Sequence, residues 1–254
     1  MSPRIALCIS GALRNFKDTF YSFEEMILSR HDIDVFFYGA ENCEGAEQNE
    51  KDLIALFKPK KYTINKSSFY NTTTFSHASL RPSPTLYYSF FNILKCNELK
   101  IQFEQENNFE YDLVIRCRAD HFWFRPITTE EIELAKNYIL FPWEWSFNCV
   151  SNFALCDMFA FGTSNRMNLY STAYNHIDEY CKKIKYHPES IIGYHVHKNN
   201  IPFKEISRHV IYEYPSPRVE KYISPYKFTK YFDEPDIVDE NEFLHVVSNK
   251  RKNF

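Results

Sequence analysis

Three short apolar runs set the frame for this chain: "RIALCIS" at residues 4–10, "DVFFYG" at 34–39 and "YDLVIRC" at 111–117. Each is short, close to continuously apolar, and rich in β-branched or aromatic residues. That is the pattern of a strand covered on both faces. Segments with helical spacing lie between them. Phe16, Phe20, Phe23 and Ile27 fall on one side of a helix. A longer helix opens on Pro84 and Thr85 and runs to about Asn107, with proline where its missing N–H is no loss. Strands alternating with helices predict an α/β fold, a mostly parallel central sheet flanked by helices.

The remaining segments fit that plan. "KKYTINK" reads as a third strand, after a polar loop "AENCEGAEQNEKD" and a short helix over 51–57. "YILFPW" and "CDMFAFG" read as further strands, and "PFKEISRHVIYEY" closes as one. Met167, Tyr170, Tyr174, Ile177 and Tyr180 line one side of an amphipathic helix, and "HPESIIGYHVHKNN" is helical. Residues 67–84 have no period and read as a long loop able to cover a site. The reading is one domain over 1–254, with its core at about 4–214 and a C-terminal extension at 215–254.

Composition narrows the function classes. Only 5 of 254 residues are glycine, which argues against glycine-rich phosphate loops. The net charge of −3 gives no global positive field for nucleic acid. No apolar run reaches the length of a membrane span, and the chain enters a strand at once, without a signal-peptide pattern. The seven cysteines are scattered, without zinc spacing, and several sit in apolar runs. Buried, reduced thiols and a cytoplasmic location are expected.

Charge collects where strands end. In "LVIRCRAD", Arg116, Arg118 and Asp120 recur at every second position and so would share one strand face. They form either an internal ion pair or a site for an anionic, metal-bound ligand. In the second case the arginines meet phosphate oxygens and Asp120 holds the cation. The end of the first strand, "SGALRNF", is either a plain turn or a place where Ser10 and Gly11 admit a ligand and Arg14 reaches a phosphate. Asp157 is a turn residue, a general base or a sugar-hydroxyl ligand. Glu189 stands in a helical first turn, where acids favour the dipole. His195 and His197 are two apart, and on a helix such residues do not face together. Trp143, Glu144 and Trp145 are core, interface or a stacking platform.

The pattern "ALCISGALRNF … DVFFYG … YYSFFNILKCNELKIQFEQENNFEYDLVIRCRADHFW … DMFAFG … PESIIGYHVHKNNI" resembles glycosyltransferase-like proteins of phages, large viruses and bacterial surface-polysaccharide loci. These are similar to GT-A-type nucleotide-sugar transferases, and the resemblance covers roughly residues 4–214. It implies a Rossmann-like GT-A fold, a nucleotide-sugar donor and a divalent metal, Mn²⁺ or Mg²⁺. The acid–x–acid position of such enzymes falls on "RAD", where Arg118 replaces the first acid and Asp120 is the metal ligand. On this resemblance Ser10, Gly11, Arg14, Arg116 and Arg118 lie against the nucleotide. Ser89, Lys95 and Asn97 reach toward the donor, Glu189 sits near the sugar, and Asp157 is the base. The acceptor hydroxyl would belong to a glycan, a lipid-linked sugar, a protein or a modified DNA base. The alternative is a degenerate nucleotide-binding module of the same fold.

Overall fold

The computed structural model describes residues 2–13, 16–40, 46–65, 84–123, 125–142, 153–184, 187–206 and 211–213. The chain divides into two units, Met1–Tyr212 and Glu213–Phe254, and the first carries the whole of the large sheet. Arg14, Trp143, Glu144, Trp145, residues 67–83 of the expected loop and the extension at 215–254 lie outside the described residues.

Four parallel strands form one half of the sheet. β1 (Ile5–Ala12) pairs with β2 (Ile33–Ala40) on one side and β4 (Leu113–Cys117) on the other, and β3 (Lys61–Asn65) extends the β2 edge. Beyond β4, β7 (Ala160–Gly162) runs antiparallel, then come β6 (Ile139–Pro142) and β8 (Phe203–Ile206). The order β3-β2-β1-β4-β7-β6-β8 makes a seven-stranded mixed sheet. A short separate ladder joins β5 (His121–Trp123) to β9 (Ile211–Glu213).

Strand order dictates where the helices go. From β1 the chain passes through α1 (Phe16–Phe23), a π-helical turn (Glu24–Leu28) and out to β2; α2 (Ala46–Phe57) then leads to β3. From β3 it returns through α3 (Pro84–Asn107), past β1, to β4. Right-handed crossovers in opposite directions place α1 and α2 on one face and α3 on the other. Strand β1 is accordingly buried on both faces from Ile5 to Ser10. The α1–α2 side holds an edge-to-face aromatic cluster of Phe20, Phe23, Phe57 and Trp123. On the α3 side, the Cys96 Sγ lies 3.4 Å from the Ile9 carbonyl oxygen. The five cysteines among the described residues are free thiols. No helix among those residues is long and apolar enough to cross a membrane.

Buried charge fixes α3. Lys100 is fully buried on this helix, and its Nζ reaches Glu104 Oε2 (2.9 Å), Asn168 Oδ1 (2.9 Å) and the Ser164 hydroxyl. Ser164 and Asn168 belong to α5 (Ser164–Ser171). Ser164 Oγ in turn donates to Glu104 Oε1 at 2.9 Å. A buried ammonium persists only when its donors are satisfied, so this network sets the position of α3 against α5.

Several boundaries depart from the sequence expectation. Helix α2 starts at Ala46, inside the expected polar loop. Strand β4 stops at Cys117, so Arg118, Ala119 and Asp120 form a turn and do not continue the strand alternation. The expected single helix at 164–184 is three pieces that end at Tyr180: α5, a 3₁₀ turn (Thr172–His176) and α6 (Ile177–Tyr180). Ser171 Oγ and Thr172 Oγ1 donate back to the Met167 and Leu169 carbonyls at the break, competing with the helical ladder. Helix α4 (Thr129–Ala135) was not expected. It opens on a reciprocal capping box between Thr128 and Glu131.

Close approach of β1 and β2 requires glycine. Gly11 has φ +121°, and a Cβ on its partner Gly39 would stand 1.7 Å from the Gly11 carbonyl oxygen. Gly39→Ala is expected to cost roughly 2 kcal/mol or more in urea denaturation, from overpacking alone. Lys100→Ala is expected to cost about 3–5 kcal/mol by stranding Glu104, while Lys95→Ala stays within about 0.5 kcal/mol.

Candidate functional site

The order of the parallel half creates a crevice. The chain leaves β1 toward β2 but enters β4 from the opposite side, so the carboxyl ends of β1 and β4 are the topological switch point. In open α/β sheets that is where ligands bind. Ser10 and Gly11 end β1 there, and Arg116 lies near the end of β4.

Arg116 is 3% exposed. Its Nε donates to Ser10 Oγ at 3.3 Å and its Nη1 donates to the Asp157 carbonyl oxygen. It ties the two strand ends to the segment before β7. Arg118 follows on the turn. Its Nε meets Asp120 Oδ1 at 2.8 Å and its Nη2 meets Oδ2 at 2.6 Å, a bidentate pair. The Asp120 side chain is 4% exposed and that of Arg118 is 23% exposed. The expected shared strand face is therefore replaced by an arginine and an aspartate clasped across a turn.

Sequence reasoning missed the parts that hold this turn. Thr19 Oγ1, on the buried face of α1, donates to the Ala119 carbonyl at 2.7 Å, and Ser22 Oγ accepts from the Trp123 N–H at 3.1 Å. Hydroxyls at i and i+3 on an otherwise aromatic helix face were the available signal. His121 Nδ1 accepts from the Arg118 N–H at 3.4 Å. Burial, then Arg118 and Arg116, push this imidazole well below its ordinary pKa, so it stays neutral.

A pair of acids adjoins the arginines. Helix α7 (Pro188–Lys198) begins against the segment carrying Asp157, where Leu155 N–H donates to the Glu189 carbonyl oxygen at 3.0 Å. Gly193 permits this docking, since a Cβ there would meet the Phe153 carbonyl oxygen at 1.6 Å. Glu189 is buried, with the His187 imidazole against its carboxylate. Burial, then the neighbouring Asp157 carboxylate, push Glu189 up to about 8. Asp157 is also raised by burial, against the pull of Arg116 and Arg118. The arginines lie on the Asp157 side, so the pair holds its proton preferentially on Glu189.

The remaining candidates lie on α3 and α7. Lys95 Nζ is held by Glu98 Oε2 at 2.6 Å and lies over the Phe91 ring. Asn97 donates to Asn168 Oδ1 at 3.0 Å, within the α3–α5 network. Ser89 is half-buried on α3. His195 is buried in a structural role: Nδ1 meets the Tyr180 hydroxyl at 2.8 Å and Nε2 meets the Leu169 carbonyl at 2.9 Å. Burial drives it to about 4. His197 is exposed, against Phe153 and Phe203.

The model of the family described as Domain of unknown function (DUF7796) matches residues 1–165. The chain belongs to that family. The match spans β1 to β7, and with them Ser10, Arg116, Arg118, Asp120 and Asp157; Glu189 lies past it. No curated protein matches the chain.

The divalent ion implied by the resemblance can be tested against the donors present. Asp120 gives both oxygens to Arg118, and no group of three or more His, Cys, Asp or Glu side chains gathers as a cation shell among the described residues. Hard divalent cations take six or more oxygen ligands, of which one carboxylate supplies at most two. As arranged, these residues do not form that shell.

Glu189 makes the site sensitive to pH. Its folded pKa lies above the ordinary 4.5, so between about 4.5 and 8 the folded state keeps a proton that the unfolded chain releases. Stability from this group is complete below that window and is lost as pH rises through it. Glu189→Gln is expected to remove a loss of roughly 2–3 kcal/mol between pH 5 and 8, read from denaturation midpoints across that range.

Proposed function

We propose that this chain is a nucleotide-sugar-dependent glycosyltransferase of Rossmann-like, GT-A type, working at the β1/β4 switch point. The observation that carries the reading is the convergence there of Ser10, Arg116 and Arg118 with the Asp157–Glu189 acids. The resemblance over residues 4–214 supports the same reaction class.

Each group has a part in the transfer. As the sugar leaves, negative charge builds on the nucleoside diphosphate. Arg118, which reaches solvent, would contact the phosphates, while buried Arg116 supplies fixed positive potential and holds the strand ends in register. Gly11 at the end of β1 keeps the backbone open to the nucleotide. Asp157 would take the proton from the acceptor hydroxyl, and its raised proton affinity suits it to act near neutral pH. Protonated Glu189 leaves Asp157 as the ionised member of the pair. The acceptor would be a glycan, a lipid-linked sugar or a hydroxymethylated DNA base; the acidic net charge favours the first two.

A second reading has a specific observation behind it. Asp120 is sealed by Arg118, an arrangement suited to binding a nucleotide without turnover. Asp157→Asn separates the two. The transferase reading expects sugar transfer, or donor hydrolysis, to fall by about 100-fold or more while nucleoside diphosphate affinity changes little. A wild type that binds nucleotide but releases no sugar from any nucleotide-sugar would favour the binding module.

A further inference from the structure

We propose that the Arg118 guanidinium occupies the cation position of this site, so that Asp120 binds no divalent ion and the nucleotide's phosphates are held without one. The inference rests on the transferase reading for the identity of the ligand, and on the geometry alone for the state of Asp120.

Three observations carry it. First, both carboxylate oxygens of Asp120 are taken by one planar fork, at 2.8 and 2.6 Å, with the acid buried. A bidentate guanidinium is the strongest side-chain competitor a metal could face. A metal at Asp120 would have to break both of the carboxylate's contacts with Arg118. Second, the pair is held from both sides. His121 accepts the Arg118 main-chain N–H, and Thr19 takes the Ala119 carbonyl between the two residues. His121, Ala119 and Asp120 are buried, and the turn is part of the packed core. Third, the Arg118 side chain is not wholly enclosed. One edge is on Asp120, the Nη1 side passes Met158 Sδ at 3.6 Å, and about a quarter of the side chain meets solvent at the switch point. Asp120 then fixes the guanidinium, and the guanidinium neutralises phosphate.

One substitution inverts the design. Arg118→Asp replaces the internal cation by a second carboxylate two residues from Asp120, and a divalent ion becomes the natural counter-charge for the pair.

The experiment measures two things in wild type and Arg118→Asp. One is the melting temperature with Mn²⁺ or EDTA alone. The other is the affinity for ADP, GDP, CDP and UDP under both conditions. In the wild type, Mn²⁺ alone should not shift melting, and affinity for the preferred nucleotide should change by less than about threefold between Mn²⁺ and EDTA. In Arg118→Asp, Mn²⁺ alone should raise melting, and nucleotide binding should become about tenfold or more tighter with Mn²⁺ than with EDTA. A wild type that binds nucleotide only with Mn²⁺, or that Mn²⁺ alone stabilises in a way Asp120→Asn abolishes, overturns the proposal. Wild-type indifference to Mn²⁺ is the expected result whether or not the variant folds. If no nucleotide binds under any condition, the transferase reading fails, and the Mn²⁺-only arm still decides what sits on Asp120.

Discussion

Arg116 brings a full positive charge into the interior at the point where β1 and β4 end, and the structure around it is arranged to accept that charge. A buried guanidinium without acceptors costs several kcal/mol. Arg116 finds one acceptor on β1, the Ser10 hydroxyl, and another on the segment before β7, the Asp157 carbonyl. Those two contacts join three separate parts of the chain at the switch point. They also leave positive potential on the Asp157 side of the acid pair, which favours Asp157 over Glu189 as the one that gives up its proton first.

The same logic of paired burial recurs away from the site. The Lys100–Glu104–Ser164–Asn168 network sets α3 on α5. At the far edge of the sheet, Asp34 gathers the Tyr111 hydroxyl, Arg4 and Lys60. Burial pushes the Asp34 carboxyl up, but the three donors outweigh it and hold it below its ordinary value. Charge at the amino edge of the sheet converges on one carboxylate, Asp34, with Arg4 and Lys60 partly exposed around it. Charge at the carboxyl edge stands instead at the topological switch point, and that position is what makes it the candidate site.

How much was legible in the sequence follows from which forces act locally. The apolar runs of β1, β2 and β4 and the long α3 were readable, because period and β-branching act over a few residues. Arg116, Arg118 and Asp120 stand out in the sequence as charge at a strand end, but their geometry is not legible there. Alternation holds only while the strand continues, and β4 ends at Cys117. The capping box at Thr128 and Glu131 was readable and passed over. Lys100 was not readable: its partners Ser164 and Asn168 lie more than sixty residues away, and nothing local separates it from half-buried Lys95. The link between Asp157 and Glu189 is likewise made by tertiary docking of α7, which Gly193 permits but does not announce.

The central claim is that the β1/β4 crevice is an anion site whose contact group is Arg118. The most direct measurement is arginine side-chain NMR, following the Nε–H signals as the preferred nucleoside diphosphate is added. The account predicts that Arg118 moves most and Arg116 less, while Arg125, paired with Glu131 at 3.1 Å, stays fixed. An unmoved Arg118 at saturating nucleotide, with shifts elsewhere in the molecule, would contradict it.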